Sequence, residues 1–376
     1  MKQRLSIIYC GRFPSEKAAA LFVAENAKAL AAWYDVQIIV PKRRGVITNS
    51  LAGYTMPPSV EVTYLSSIDV FKIPGLSKVA FYVNQITFSL SLLWYLRTIP
   101  ANEILIANDV LPGLVASFRG KLLFEVHDYP TRALWVYRLL FSHSSIILAT
   151  NEWKKIELKK QFPASSNKVH MERNGVDIEA FSPSLTKEEA RSKVQLPQQG
   201  KIVLYTGHLY SWKGVDTFVT AARLLPNIRF ICVGGTSADV EWFKKEYADV
   251  PNLSFTGHVP HSEVSLWQSA ADVLVLPNTA REMISVRYTS PMKLFEYMAS
   301  GRPIVASRLP SIMELVDSTT AYLFEPDSAQ SLVQEINEIF STPEEAITKA
   351  LRAQQSVSEF SWKKRALRLK ELLERA

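Results

Sequence analysis

Residues Ile202 to Pro226, "IVLYTGHLYSWKGVDTFVTAARLLP", place an apolar run and a helical pattern on either side of one turn. Ile202 to Thr206 reads as a buried strand, Gly207 opens the turn, and Val215 to Leu225 repeats apolar residues at helical spacing. A strand apolar at successive positions is covered on both faces, and strand, turn and helix in that order build parallel sheets.

Outward from this stretch the alternation continues with Phe230 to Val233, Leu253 to Phe255, Val273 to Leu276, Ile304 to Ala306 and Tyr322 to Phe324. Toward the N-terminus a turn-rich, charged segment interrupts it, Arg173 to Gly200, which reads as a linker. Before the linker the same pattern occupies Leu5 to Cys10, Val36 to Val40, Val60 to Leu65, Ile104 to Ala107, Leu122 to Val126 and Ile146 to Ala149. The expectation is an α/β chain of two Rossmann-like, doubly wound parallel-sheet domains, residues 1–180 and 181–357. A charged amphipathic helix, 358–376, is expected to pack back on the first. Open α/β sheets bind ligands outside the carboxyl ends of their strands, so function belongs at those ends, around a cleft.

The 376 residues are enough for two cores, with 47% of them apolar. Two cysteines, Cys10 and Cys232, sit in strand-like runs and form neither a disulfide framework nor a metal cluster, which fits a reducing cytoplasm. The apolar run after "MKQRL" is too short for a signal peptide. Residues 1–180 hold 21 Lys and Arg against 14 Asp and Glu, whereas 181–376 hold 22 of each. A basic first half suggests an anionic partner, nucleic acid or a phospholipid surface. No recognition helix or RNA-binding motif supports nucleic acid.

Val79 to Leu96, "VAFYVNQITFSLSLLWYL", carries no charge, and Asn84, Thr87 and Ser91 share one helical stripe. Core helix, interfacial helix and membrane span are all consistent with it, although a span needs ~20 apolar residues. Lys42-Arg43-Arg44, Lys154-Lys155 and Lys159-Lys160 are the candidate headgroup contacts, or merely solvated charges.

After Gly207 the turn brings Lys213 and Gly214 to a helix start, where free N–H groups and the helix dipole favour an anion. The spacing is neither a Walker loop nor a dinucleotide fingerprint. In "TSPMKLFEYMASGRPIVAS", Thr289 to Ser307, Ser290 suits an N-cap, Pro291 the first helical position and Gly301 the stop. Lys293 then stands in the first turn, and two helix starts with two lysines converge on one diphosphate. Glu296, one turn on, is placed to accept from a ribose diol. The competing reading makes Lys213-Gly214 turn chemistry and Lys293 and Glu296 surface residues.

These motifs resemble family 4 of the retaining glycosyltransferases, which have the GT-B fold. "NGVDIEAFSP", "GHLYSWKGVD", "FTGHVP" and "SPMKLFEYMASGRPIVAS" match its interdomain signature, donor-phosphate loop, base-proximal turn and donor-binding helix, in order. The resemblance covers nearly the whole chain. It implies that Gly207, His208 and Lys213 meet the donor diphosphate, with Ser290, Pro291, Met292, Lys293 and Leu294 at the phosphates. Gly257, His258 and Val259 face the base and Glu296 the ribose. It implies that Gly11 lies near the donor phosphates and acceptor and that His127 in "FEVHDYP" contacts the transferred sugar. Asp109, at the strand end in "ILIANDVLPG", is an acceptor-side candidate, as are Arg12 and Asp128. His127, Lys213 and Glu296 are the catalytic candidates.

Two positions depart from the family pattern. His208 stands where Arg is frequent, and the first Glu of a Glu-seven-residues-Glu motif falls on Tyr288, with Glu282 an alternative reach to the sugar. No Asp-x-Asp pair occurs, so neither metal nor cofactor is expected. The partners expected are a nucleoside diphosphate sugar, a glycan or lipid-linked acceptor and an anionic membrane surface touched peripherally from the cytoplasm, without nucleic acid. A nucleotide-sugar epimerase is the alternative.

Overall fold

The computed structural model describes every residue except Met1, Glu16, 44–53, Thr55, 72–76 and Pro183. Arg44 of the basic run and Pro183, the last residue of "NGVDIEAFSP", lie outside the described residues. The chain forms two compact units, Met1–Arg173 with Trp362–Ala376, and Asn174–Ser361. The boundary falls before 180 because the Val176 N–H bonds to the Phe360 carbonyl at 2.9 Å and Val176 bridges to Ser361, which ties both connecting segments to the second unit.

In the first unit the described strands are β1 (Arg4–Ile8), β2 (Asp35–Pro41), β3 (Glu61–Leu65), β4 (Ile104–Ala107), β5 (Lys121–Val126), β6 (Ile146–Ala149) and β7 (Val169–Met171). They form one parallel sheet in the order β3-β2-β1-β4-β5-β6-β7. Leu5 pairs with Val36 on one side and Ile104 on the other, so the chain's direction of winding reverses between β1 and β4. β7 was not expected: it is a three-residue edge strand, and of its "VHM" only Val169 is buried.

The second unit repeats the plan with β8 (Ile202–Thr206), β9 (Arg229–Val233), β10 (Leu253–Gly257), β11 (Val273–Leu276), β12 (Ile304–Ser307) and β13 (Tyr322–Phe324). Its order is β10-β9-β8-β11-β12-β13, with the reversal between β8 and β11. Val203 and Tyr205 join the core on one face while Ile202 and Leu204 join the other, which is why the strand is apolar throughout.

The final helix, Trp362–Arg375, buries Trp362, Arg365, Ala366, Leu369 and Leu373 in the first unit, where Trp362 meets the edge of Phe22 at 5.4 Å. Helix Ser77–Tyr95 points its polar stripe inward. Asn84 Nδ2 donates to the Cys10 carbonyl at 3.3 Å, Thr87 accepts from the Ile68 N–H at 3.0 Å, and Ser91 donates to the Ser66 carbonyl at 2.7 Å. The outer face is left with Val79, Phe81, Tyr82, Ile86, Leu90, Leu93 and Trp94 exposed, Trp94 at 68%. Among the described residues no helix is long and apolar enough to cross a membrane.

Two of the expected headgroup cations have other work. Lys154 is buried and donates to the carbonyls of Val126 (3.1 Å) and His127 (2.8 Å). Arg43 donates to the Cys10 carbonyl at 3.1 Å and covers the Phe71 ring.

Candidate functional site

The second unit's reversal point is built from glycine. Gly207 leaves β8 at φ +124°, and a Cβ there would stand 2.7 Å from Lys293 Nζ. Gly214, at φ +69°, starts helix Val215–Leu224, and a Cβ would stand 1.8 Å from the Pro277 carbonyl oxygen just after β11. The two loops of the reversal therefore touch through backbone, as a ligand crevice of this topology requires.

Lys293 Nζ lies 3.9 Å from the Tyr205 ring centre and is buried without a hydrogen-bond acceptor. Lys213 Nζ lies 3.6 Å above the Trp212 ring. Burial brings the Lys213 ammonium down to about 7. Burial, and then the charge of Lys213, holds Lys293 well below its ordinary value, with Glu296 opposing. Two lysines whose charged forms are disfavoured by burial, one of them also by the other's charge, favour an anion nearby.

Helix Met292–Ala299 carries Lys293, but Ser290 is not its cap. Pro291 takes that place with extended φ −72° and ψ 111°, no side chain caps the end, and the Ser290 carbonyl accepts from Asn174 Nδ2 at 2.7 Å. Lys293 is consequently the second helical residue. The Leu294 N–H is already bonded to the Pro291 carbonyl at 3.0 Å and its side chain is core, so the first-turn N–H groups of Met292 and Lys293 are those left for a ligand. Gly301, at φ +63°, follows the C-cap Ser300.

Glu296 is 8% exposed, and its Oε1 lies 3.1 Å from His261 Nε2. His261 packs on the edge of Phe181 and begins helix His261–Ala270. It escaped the sequence reading, although "FTGHVPH" places it directly after the base-proximal turn. Gly234 and Gly235 escaped it as well. Both have positive φ, the Gly234 N–H bonds the Gly257 carbonyl at 2.8 Å, and a Cβ on Gly234 would stand 2.4 Å from the Gly207 carbonyl oxygen. The pair of glycines ending β9 was the available signal.

Gly257 closes β10 at φ +82°, His258 is exposed, and Val259 packs partly into the core. The His208 ring stacks on Tyr210 at 5.1 Å while its carbonyl accepts the Tyr205 hydroxyl at 2.6 Å. Tyr288 ends a π-helical turn, Ile284–Tyr288, a distortion frequent at functional sites. Glu282 accepts from Ser211 Oγ at 3.0 Å, on the loop that carries Lys213.

In the first unit the reversal point gathers Gly11 and Asp109. A Cβ on Gly11 would collide with the Tyr9 ring at 2.0 Å. Asp109 accepts from the Cys10 N–H at 2.7 Å and from Gln85 Nε2 at 3.0 Å, and burial still raises its carboxyl above the ordinary range. His127, just past β5, is half-buried, with Phe22 edge-on at 4.8 Å. Arg12 and Asp128 are at the exposed surface.

Residues 200–342, the stretch that holds the lysine pair, match the model of the glycosyl transferases group 1 family. These residues, somewhat over a third of the chain, are what is similar to that family. The chain is 26% identical over 178 residues to a teichuronic acid biosynthesis glycosyltransferase of Bacillus subtilis, TuaH, a match covering 47% of this chain and 43% of that protein. It spans about two fifths to three fifths of the length of the curated relatives it matches. Sucrose-phosphate synthase of Thermosynechococcus elongatus superposes with a TM-score of 0.83 at 20% identity, covering 100% of this chain and 99% of that one. HepE of Anabaena, solved with UDP and glucose, superposes at 0.75 with 19% identity over 99% of each chain. The fold is GT-B.

Proposed function

We propose that the protein transfers a sugar, with retention at the anomeric carbon, from a nucleoside diphosphate to an acceptor hydroxyl. The carrying observation is the pair Lys213 and Lys293 beside Gly207, two destabilised cations at a reversal point floored by glycine. A diphosphate leaves with growing negative charge, and preorganised donors of this kind contribute ~3 kcal/mol each. Lys213, Lys293 and the first-turn N–H groups of helix Met292–Ala299 meet that charge, so no metal is invoked. Glu296, oriented by His261, takes the ribose hydroxyls, while Gly257 to Val259 face the base. His127 is assigned the transferred sugar, and Gly11, Arg12, Asp109 and Asp128 the neighbouring donor and acceptor groups.

UDP in the HepE structure favours a uridine donor. A membrane-borne glycan is the acceptor we favour, because helix Ser77–Tyr95 exposes seven large apolar side chains and has no acidic residue. Aromatic rings on such a face suit the interface of a bilayer, with Lys78 and Arg97 at its ends toward anionic headgroups. The name of the TuaH relative, teichuronic acid biosynthesis, points the same way. On this reading the protein works at the cytoplasmic face of a membrane.

The first test is thermal stabilisation by UDP, GDP, ADP and their sugar conjugates in EDTA, on the wild type and Glu296→Ala. One base should stabilise by ~2.7 kcal/mol at 100-fold over Kd, less in the variant. Hydrolysis of the sugar conjugate to free nucleotide without any acceptor would favour the epimerase instead. No response to any nucleotide sinks the transferase reading, and indifference to anionic vesicles at low salt removes the membrane.

A further inference from the structure

Arg365, on the last helix, is fully buried. Its guanidinium donates from Nη1 to Asn26 Oδ1 at 2.7 Å, from Nε to the Arg173 carbonyl at 3.0 Å, and from Nη2 to Glu125 Oε1. Glu125, in β5, is 2% exposed. Side chains two apart on an extended strand share a face, so Glu125 and His127 project together, and Glu125 Oε2 lies 3.9 Å from His127 Nε2.

The imidazole is confined on its other sides. Phe22 meets it edge-on with an interplanar angle of 82°, and Lys154 pins the backbone carbonyls of Val126 and His127. Nε2 is buried, with Glu125 the carboxylate beside it, so the ring's exposure belongs to its other atoms. Asp109 is the second carboxylate whose charge reaches the ring, but Cys10 and Gln85 already occupy its oxygens. Replacing a buried ion pair by apolar groups of similar volume is often neutral or stabilising. The pair's presence in this core is better accounted for by the ring it faces.

We propose that Arg365 and Glu125 are positioning residues that hold neutral His127 as the Nε2–H tautomer, with Nδ1 presented as a hydrogen-bond acceptor for a ligand hydroxyl. At 3.9 Å the two groups make a charge contact and not a formed hydrogen bond, and an ionised carboxylate, which only accepts, favours the proton on the imidazole nitrogen that faces it. Glu125 stays ionised: burial pushes its carboxyl up, but Arg365 first and then His127 bring it down to about 2. Such carboxylate–histidine contacts fix tautomer and orientation in metal sites by the same logic. The use of Nδ1 by a sugar hydroxyl rests on the transferase reading; the tautomer does not.

The test is a long-range 1H–15N correlation spectrum of histidine-labelled full-length protein at about pH 8, above the ordinary imidazole range. The six histidines are few enough for His127→Gln to assign the signal. The wild type should show His127 with a protonated Nε2 and an unprotonated Nδ1. Arg365→Lys, which keeps the positive charge, should preserve that pattern, and Glu125→Gln should collapse it to a mixture of tautomers. If Glu125→Gln does not fold, Glu125→Gln with Arg365→Gln removes both charges together and leaves neither ion unpaired. An unchanged His127 pattern in folded Glu125→Gln or in the folded Glu125→Gln, Arg365→Gln double variant, or an Nδ1–H tautomer in the wild type, overturns the proposal. Nucleotide stabilisation measured on the same samples reports separately on the transferase reading.

Discussion

The two units wind their sheets in the same order, yet their reversal points balance charge in opposite ways. In the first unit the buried carboxylates have protein partners, Asp109 at the reversal point with Cys10 and Gln85, and Glu125 in β5 with Arg365. In the second, burial depresses both Lys213 and Lys293, the charge of Lys213 adds to the depression of Lys293, no carboxylate among the described residues is within salt-bridge range of either, and the bond of Glu296 goes to His261. Topology provides a crevice in both. The imbalance of charge is what the proposed diphosphate site rests on.

The comparison breaks most visibly if the first unit proves indifferent to losing a partner. Arg365→Met should destabilise the protein by ~3–5 kcal/mol, because it strands Glu125 as a buried unpaired charge. Urea unfolding that shows under about 1 kcal/mol would mean that the pair is not desolvated as the packing implies. Gly214→Ala should cost about 2–3 kcal/mol, since it sets a Cβ against the Pro277 oxygen at a positive φ.

Lys293→Met sharpens the contrast because stability and binding should move in opposite directions. Removing a buried cation without an acceptor should leave the free protein as stable or more stable, by up to about 1 kcal/mol. Nucleotide diphosphate affinity should meanwhile fall about tenfold or more. A variant that loses both would place Lys293 among the structural residues.

The smallest effect is on protons. Lys213 near 7 in the folded chain lies below its unfolded value, so between about pH 7 and 10 the unfolded chain holds a proton that the folded one lacks. This contribution makes stability rise with pH across that window. A bound diphosphate favours the charged amine, so binding at about pH 8 should take up close to one proton and weaken as pH rises further. Calorimetry in two buffers of different ionisation enthalpy reads the uptake, and equal heats in both would remove Lys213 from the phosphates.

Much of the fold was legible because a doubly covered sheet leaves a strong trace. Ile104–Ala107, Ile146–Ala149, Ile202–Thr206, Val273–Leu276 and Tyr322–Phe324 begin and end where their apolar runs do. Edge strand β7 left none. The meeting of Lys213 and Lys293 was readable because each stands a fixed distance past a strand or inside a helix start. Pro291 displaced Ser290 as the cap through its own backbone angles, which local preference alone does not decide. Lys154 looked solvated since a run of lysines usually is, and only the packing shows its ammonium capping the end of β5. His261, Gly234 and Gly235 needed contacts made across loops, which spacing along one segment does not encode. Arg365 and Glu125 stand 240 residues apart, beyond any local pattern.

The second unit is threaded into the first between Arg173 and Trp362. During synthesis the nucleotide-binding candidate is therefore complete before Arg365 leaves the ribosome, whereas the strand bearing Glu125 and His127 has been waiting since the start. Domains fold as units as they emerge, so the half begun first is finished last. A chain cut short after the second unit would carry an intact lysine pair and a histidine whose setting was never closed.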